Sequence, residues 1–486
     1  MSISANKVVS NLMWRLLERF SAQGVTFIVS VILARLLDPV VYGTIALVTV
    51  FTTILQVFVD SGLGNALIQK KDADDVDFSS VFYFNIFICV VLYLAMFFAA
   101  PLIANFYDNQ ELTPVVRVLS LVLIISGVKN VQQAYVSRNM LFKRFFWATM
   151  VSTFGSAVVG ITMAYNGFGV WALVGQTLFS QLVSTVTLWV TVKWRPKLMF
   201  SAKRLKELFT FGWKLLVSNL LNTVYNDLRQ LIIGKFYTPQ DLAFYNKGHQ
   251  LPQLIVNNIS SSIDSVLFPA MSSEQDSSER IKAMTRRAIK ISTYLMMPIM
   301  MGLAVCAEPF VKLLLTEKWL PCVPFLRVFC FTMAFYPVHS ANLNAIKAMG
   351  RSDLFLKLEI IKKIIGLIAI LTTMWISVEA MAYSLLITTV IASFINAFPN
   401  SKLLNYTYKD QIVDMLPTML LTAVMGGIVY CVTLLPISEI LMLIIQIPLG
   451  VVVYICLSKL AKIDSFDYIL SMAKGFLNKR NKQENV

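Results

Sequence analysis

Long apolar runs separated by short polar breaks fill this chain almost from end to end. Fourteen of them are about 20–26 residues long, enough for an α-helix to cross ~30 Å of hydrocarbon. Their approximate limits are 12–36, 42–67, 78–101, 114–136, 144–165, 169–193, 208–236, 242–270, 286–311, 324–346, 355–377, 380–401, 412–435 and 438–460. The pattern predicts an all-α polytopic membrane protein with about 14 transmembrane helices. One stretch breaks it. Residues 213–272 cover the seventh and eighth spans, yet carry Asn219, Asn222, Asn226, Asp227, Arg229, Gln230, Asn246, Lys247, His249, Gln250, Gln253, Asn257 and Asp264. An ionised side chain at the bilayer centre costs roughly 2.5–3.5 kcal/mol on insertion scales, so these groups should face something other than lipid.

At ~100° per residue, Asn219, Asn222, Asn226, Arg229 and Gln230 share one arc of the seventh span about 100° wide. Asn246, His249, Gln250, Gln253, Asn257, Ser260, Ser261 and Asp264 share an arc of the eighth about 120° wide. Two readings stay open: a water-filled cavity, or polar contacts between packed helices. Asp227 and Arg229, two positions apart, point in nearly opposite directions. Arg229 belongs to the amide stripe. Asp227 sits on its flank and needs a partner in the second half of the chain, or a cation.

Composition agrees with the membrane assignment. The 486 residues are 57% hydrophobic and 14% charged, against about 25% charged in soluble domains. Mean hydropathy is +0.68. The N-terminal segment lacks a short apolar core followed by a small-residue cleavage site, so the first span is read as the targeting element. The net charge of +15 would suit a nucleic-acid partner, but its placement argues against one. Basic residues crowd alternate loops, from Lys70 and Lys71 through Lys193–Lys206 and Arg280–Arg287 to Lys474–Lys482, and only the loop with Lys312 and Lys318 breaks the alternation. The positive-inside rule then places both termini in the cytoplasm. Six cysteines form no CxxC pair, and Cys322 alone is expected outside the membrane. Neither a disulfide, a metal site nor a cofactor is expected.

The longest basic linker, Lys193–Lys206, follows six spans, and a repeat runs across it. Trp14-Arg15-Leu16-Leu17 recurs as Trp213-Lys214-Leu215-Leu216, and Ile32-Leu33-Ala34-Arg35 with Pro39 recurs as Ile232-Ile233-Gly234-Lys235 with Pro239. An even number of intervening spans implies a parallel repeat. In span two, Thr49, Thr52, Thr53, Gln56 and Asp60 form an arc that parallels Gln250–Asp264. Span one carries Arg15, Glu18, Arg19 and Thr26 on one face, although Arg15 and Glu18 are also spaced to pair. The expected organisation is an N-terminal lobe over 1–205, a C-terminal lobe over 206–405, two further helices over 406–461 and a basic tail over 462–486. Apolar tail positions from Phe466 to Leu477 suit either a helix on the inner leaflet or a solvated tail.

No GxxxxGK[ST], HExxH or GxSxG motif occurs, and the outer loops are short, so the chain reads as neither an ATP-driven pump nor an enzyme. Leu37-Asp38-Pro39-Val40-Val41-Tyr42-Gly43 and Asp60-Ser61-Gly62-Leu63-Gly64-Asn65-Ala66-Leu67-Ile68-Gln69 resemble the start of Wzx-type, colanic-acid-exporter-like polysaccharide flippases of the multidrug/oligosaccharidyl-lipid/polysaccharide (MOP) superfamily. Asp227 with Leu231–Phe236 and Pro239, Tyr245 with Leu267-Phe268-Pro269, and Ala348-Met349-Gly350-Arg351 continue the likeness. Ala243 and Thr238 depart from it where glycines are expected.

The resemblance implies two six-helix lobes around a V-shaped cavity, alternating access, and an undecaprenyl-pyrophosphate-linked oligosaccharide as cargo. On that reading Arg15, Arg19, Arg229 and Lys247 would meet the pyrophosphate. Asn219, Asn222, Asn226, Gln250, Gln253 and Asn257 would meet sugar hydroxyls, since amides both donate and accept. Asp60, Asp227 and Asp264 would couple an ion. Expected partners are the lipid-linked oligosaccharide, membrane lipids, and the polysaccharide polymerase and chain-length/export machinery; the chain is expected to be a monomer. The alternatives are a multidrug/cation antiporter of the same superfamily, a polytopic glycan polymerase or ligase, and a passive scaffold.

Overall fold

A computed structural model describes residues 5–60 and 63–471; the side chains of 5–13, 15, 16, 19, 20, 211, 261, 262, 265 and 266 lie outside the description. All its elements are helical. In order they are α1 (Ala5–Leu36), α2 (Pro39–Asp60), α3 (Leu63–Gln69), α4 (Asp75–Phe106), α5 (Leu112–Leu119), α6 (Leu121–Arg138), α7 (Phe142–Tyr165), α8 (Val170–Thr191) and α9 (Ala202–Phe236). Then come α10 (Pro239–Ser272), α11 (Ser278–Val305), α12 (Ala307–Leu315), a 3-10 turn (Glu317–Cys322), α13 (Val323–Ala334) and α14 (Tyr336–Ala348). The series ends with α15 (Ser352–Thr373), α16 (Val378–Leu403), α17 (Tyr408–Val432) and α18 (Glu439–Leu460). The protein is an all-α, multi-pass membrane protein.

Among the described residues, ten helical rods are long and apolar enough to cross a membrane. The other four spans expected from sequence fall on α1, α9, α10 and α15, which are helical but more polar. The first three carry or adjoin the polar arcs; α15 holds Lys357, Glu359, Lys362 and Lys363. The predicted tenth span is broken at Phe335, because Pro337 lacks the N–H that a continuous helix would need and instead sits in the first turn of α14.

The chain divides into two compact units, residues 1–243 and 244–486. In the first, α1 packs on the α7–α8 hairpin: Val29, Leu33 and Leu37 meet Ala157, Ala164, Ala172 and Leu173. Small residues let α7 and α8 approach, and a methyl added at Gly160 would lie 3.1 Å from Gln176. The hairpin turn uses Gly167 and Gly169 at φ 77° and 54°, where a side chain would be strained.

The basic linker after α8 is tied down on α4. Trp194 packs 5.6 Å from the Phe78 ring and donates Nε1–H to Asp75 at 3.1 Å. The backbone N–H groups of Lys197 and Ser201 donate to the fully buried hydroxyls of Ser79 and Ser80, at 3.0 and 2.9 Å. The first unit continues through α9 to Ala243. Asp77, also buried, pairs with Lys70 at 2.8 Å. The hydrogen bond from Arg204 holds the Asp74 carboxyl below its usual range. The contribution of that bond is present above the ordinary carboxylate pKa and is lost as pH falls through the lowered one.

In the second unit, Tyr294, Met425, Val429, Leu443 and Tyr454 form a core that Ile463, Phe466 and Ile469 cover. The start of the tail is therefore folded onto its own unit; the tail positions Ala473, Phe476 and Leu477 lie outside the described residues. Cys322, at the end of the 3-10 turn beside α13, is fully buried. Lys312, which broke the charge alternation, is held by Glu439 at 2.7 Å and Glu317 at 3.3 Å, so its charge is matched locally.

Asp414 is the electrostatic anchor of this unit. Its side chain is 3% exposed. It accepts from Arg286 at 2.6 and 2.7 Å and from the buried Tyr406 hydroxyl at 2.9 Å. Removing one partner of a buried pair costs about 3–5 kcal/mol. Arg286 is half exposed and would regain water, which reduces the expected loss for Asp414→Ala to about 1–3 kcal/mol. The thermal midpoint of the purified protein should fall for Asp414→Ala and less for Asp414→Asn; an unchanged midpoint for both would remove the anchor role.

Candidate functional site

The stripe on α9 is split by the fold. Asn219, Asn222 and Asn226 are exposed, whereas Arg229, one turn further on, is 5% exposed. The arginine has therefore left the accessible face of the stripe that the helical wheel assigned to it. Asp227 is half-buried and accepts a hydrogen bond from Gln230 at 3.2 Å, so its partner lies on its own helix, three residues along. On α10, Gln250 and Asn257 are exposed, and Gln253 donates to Asn257 at 2.6 Å. Lys247 is not out in the open: its ammonium sits 5.5 Å from the centre of the fully buried Trp319 ring. His249 packs edge-on against Phe329 at 4.7 Å. Ser260 is buried. The side chains of Arg15, Arg19 and Ser261 lie outside the described residues.

The two remaining acids sit in similar settings, one in each unit. Asp60, at the end of α2, accepts from Gln56 at 3.1 Å and from Asn130 of α6 at 3.2 Å. Asn130 in turn accepts from Asn85 of α4 at 3.3 Å. Asp264, on α10, accepts from the Ser340 hydroxyl and from Asn344 of α14 at 2.8 Å. In each unit an acid near the second polar helix is held by an asparagine from a neighbouring helix.

Sequence reading missed these partners. Lys129, beside Asn130, is half-buried inside α6, donates to Gln181 of α8, and lies close enough for its charge to act on Asp60. His339 of α14 is 3.1 Å from the Asn396 amide of α16. Asn342, Asn400 and Gln411 close a fully buried amide cluster, with Asn342 and Gln411 exchanging hydrogen bonds of 2.8 and 3.0 Å. These residues lie on helices outside the 213–272 stretch on which the sequence reading concentrated. The signal that could have found them is the rule that any ionisable residue at membrane depth is a functional candidate; Lys129 qualifies.

On α2 the threonines that complete the arc turn back on their own helix. Thr49 bonds the Ile45 carbonyl at 2.7 Å and Thr52 that of Thr49 at 3.0 Å. On α1, Glu18 accepts from Thr149 of α7 at 2.9 Å. The chemistry of these faces is that of amides and hydroxyls, with few cations.

Known proteins agree with this picture. The family described as "Polysaccharide biosynthesis protein" matches residues 32–324, more than half of the chain. The chain is 25% identical to the succinoglycan biosynthesis transport protein ExoT of Rhizobium meliloti (strain 1021), over 72% of this chain and 71% of that one. It is 26% identical to the teichuronic acid biosynthesis protein TuaB of Bacillus subtilis (strain 168), over 62% and 63%. It is 22% identical to the lipopolysaccharide biosynthesis protein WzxC of Escherichia coli (strain K12), over 75% and 74%. Among solved structures, the lipid II flippase MurJ in an inward closed conformation superimposes with a TM-score of 0.74, covering 92% of this chain and 98% of that one at 16% identity. An inward-facing multidrug resistance MATE transporter of the MOP superfamily gives 0.61, over 78% and 95%, also at 16% identity. The resemblance carried by Leu37–Gly43 and Asp60–Gln69 is thereby borne out, and the chain belongs to the polysaccharide biosynthesis protein family.

Proposed function

We propose that this protein is a flippase: a secondary transporter that carries undecaprenyl-pyrophosphate-linked oligosaccharide repeat units outward across the bacterial cytoplasmic membrane by alternating access. The observation that carries the reading is the exposure of Asn219, Asn222 and Asn226 on α9. Exposed amides at membrane depth are too costly to face lipid and need water or a hydroxylated cargo beside them. The names of the relatives, which span succinoglycan, teichuronic acid and lipopolysaccharide biosynthesis, support a surface glycan as the end product.

In this reading fourteen spans form two six-helix lobes over 1–205 and 206–405, related as parallel repeats, with two appended helices and a tail over 462–486. Both termini are cytoplasmic, a placement that the basic loops support. The protein transports rather than catalyses, works as a monomer, and hands its cargo to the polysaccharide polymerase and export machinery. The exposed amides and Arg229 serve the cargo; Asp60, Asp227 and Asp264 serve an ion.

In cells that make the repeat unit, deletion of the gene should trap the lipid-linked unit on the inner leaflet and abolish the surface glycan. An unchanged sidedness of the lipid-linked unit would sink the flippase reading. At matched protein abundance, Arg229→Ala and the double change Asn219→Ala with Asn222→Ala should each lower surface glycan roughly tenfold or more, the equivalent of losing one hydrogen bond to a charged group or two neutral ones. Arg229→Lys should recover part of the loss. Normal glycan in both alanine variants would remove α9 from the cargo path.

A further inference from the structure

The basic end of α11 forms a pocket that the transport reading does not use. Glu279, Lys282, Arg286, Arg287 and Lys290 line it from α11, and Asp464, Ser465 and Tyr468 line it from the start of the tail; its volume is about 740 Å³. The four cations are not equally occupied. Asp414 holds Arg286 with two hydrogen bonds and lies 3.4 Å from Lys290, and Asp464 lies 3.6 Å from Lys290. Lys282 donates to the Asn405 carbonyl at 2.6 Å and lies near the Asp410 carboxylate. Arg287 lies over the Tyr468 ring, 5.1 Å from its centre. The aromatic ring orients the guanidinium without neutralising it. Four basic and two acidic side chains therefore border the cavity, at a helix end rich in basic residues.

We infer that this pocket binds the phosphate of an anionic phospholipid headgroup, with Arg287 and Lys282 as its donors and the tail docked over it by Tyr468. Arg suits the role because its planar fork presents paired N–H groups to phosphate oxygens. Lys282 adds a point charge. Basic pockets between helices at the cytoplasmic surface are where anionic headgroups collect, and the apolar Ala283 and Ile291 in the lining would meet the upper acyl chain. Asp414 and Asp464 act as internal spacers that keep Arg286 and Lys290 from collapsing across the opening. The inference stands apart from the cargo assignment, because it concerns a different end of the molecule and a resident lipid.

The test uses the full-length protein in nanodiscs of phosphatidylcholine, with and without phosphatidylglycerol, and separately in phosphatidylcholine with inorganic phosphate. For the unaltered protein, phosphatidylglycerol should raise the thermal midpoint by roughly 2–4 °C. The Lys282→Gln, Arg287→Gln variant should lose at least half of that rise. Lys347→Gln, which removes a cation lying over Phe355 outside the pocket, should keep it. Since Arg287 is exposed, its variant should fold; elution as a single monodisperse peak confirms that before melting. A rise with phosphatidylglycerol but not with phosphate assigns the site to lipid. A rise with both, lost in the same variant, upholds the phosphate site but makes free anion sufficient. No rise with either, or a rise that survives in the double variant, overturns the inference.

Discussion

The Gly43→Ala protein is expected to accumulate at a small fraction of the normal level and to leave cells nearly without surface glycan. Gly43 lies in the first turn of α2, against the first residue of α10. A Cβ there would stand 1.7 Å from the Pro239 carbonyl oxygen, 2.4 Å from its carbon and 2.8 Å from its Cα. These are backbone atoms of a proline, whose ring fixes φ, so no side-chain rotation relieves the clash. Glycine to alanine in a helix normally gains about 1 kcal/mol. Overpacking usually costs ~1–3 kcal/mol and occasionally more, and a rigid overlap this deep belongs at or beyond the top of that range. The clash should win. A fluorescent fusion would report abundance, and surface glycan would report transport. Gly302→Ala is the matched control, since nothing lies within 4 Å of an added Cβ there. If Gly43→Ala equals the unaltered protein in both assays while Gly302→Ala also does, the close approach of α2 and Pro239 is disproved.

The second large effect concerns the two acids. Asp60→Asn and Asp264→Asn should each cut transport at least tenfold while the protein remains folded at normal abundance. Asparagine keeps the size of aspartate and an oxygen that accepts from Asn130 or Asn344, so the hydrogen bonds at 3.2 and 2.8 Å can persist. What it removes is the charge. A purely structural role would be served nearly as well by the amide, whereas a role in holding a cation or proton requires the carboxylate. The asparagine variants therefore separate packing from ion coupling. Alanine variants do not, because they also strand the buried Asn130 and Asn344 amides at about 1–3 kcal/mol each. Measured as surface glycan, and as ion-gradient-driven uptake in vesicles, full activity of both asparagine variants would discard the coupling role. In the first unit the result also bears on Lys129, whose charge acts on Asp60.

Several features were legible in order along the chain. The apolar run lengths announced the helices, since a bilayer imposes one length and one hydrogen-bonding solution on every span. The anomaly over residues 213–272 was legible too, as helices α9 and α10 that fall short of the apolar rods around them. Less was legible about side-chain placement. The wheel put Arg229 with Asn219, Asn222 and Asn226 because it knows angle but not depth, and packing buries only the arginine. Lys247 looked accessible until Trp319, seventy-odd residues away, supplied a ring for it.

What the sequence alone determined is the class of the protein, its family, and the existence of polar helices where lipid would forbid them. The class and the polar helices are properties of composition and local periodicity, which short-range physics is enough to read; the family was carried by the resemblance of motifs such as Leu37–Gly43 and Asp60–Gln69. What only the tertiary structure decided is pairing. Asn130 reaches Asp60 and Asn344 reaches Asp264 across 70 and 80 residues of chain, and Trp194 ties the linker to Asp75 at the start of α4. A lone polar residue in an apolar helix carries no mark of its partner. The partner is chosen by which helices pack together, because at membrane depth each such group must be satisfied by whatever neighbour the fold brings within reach.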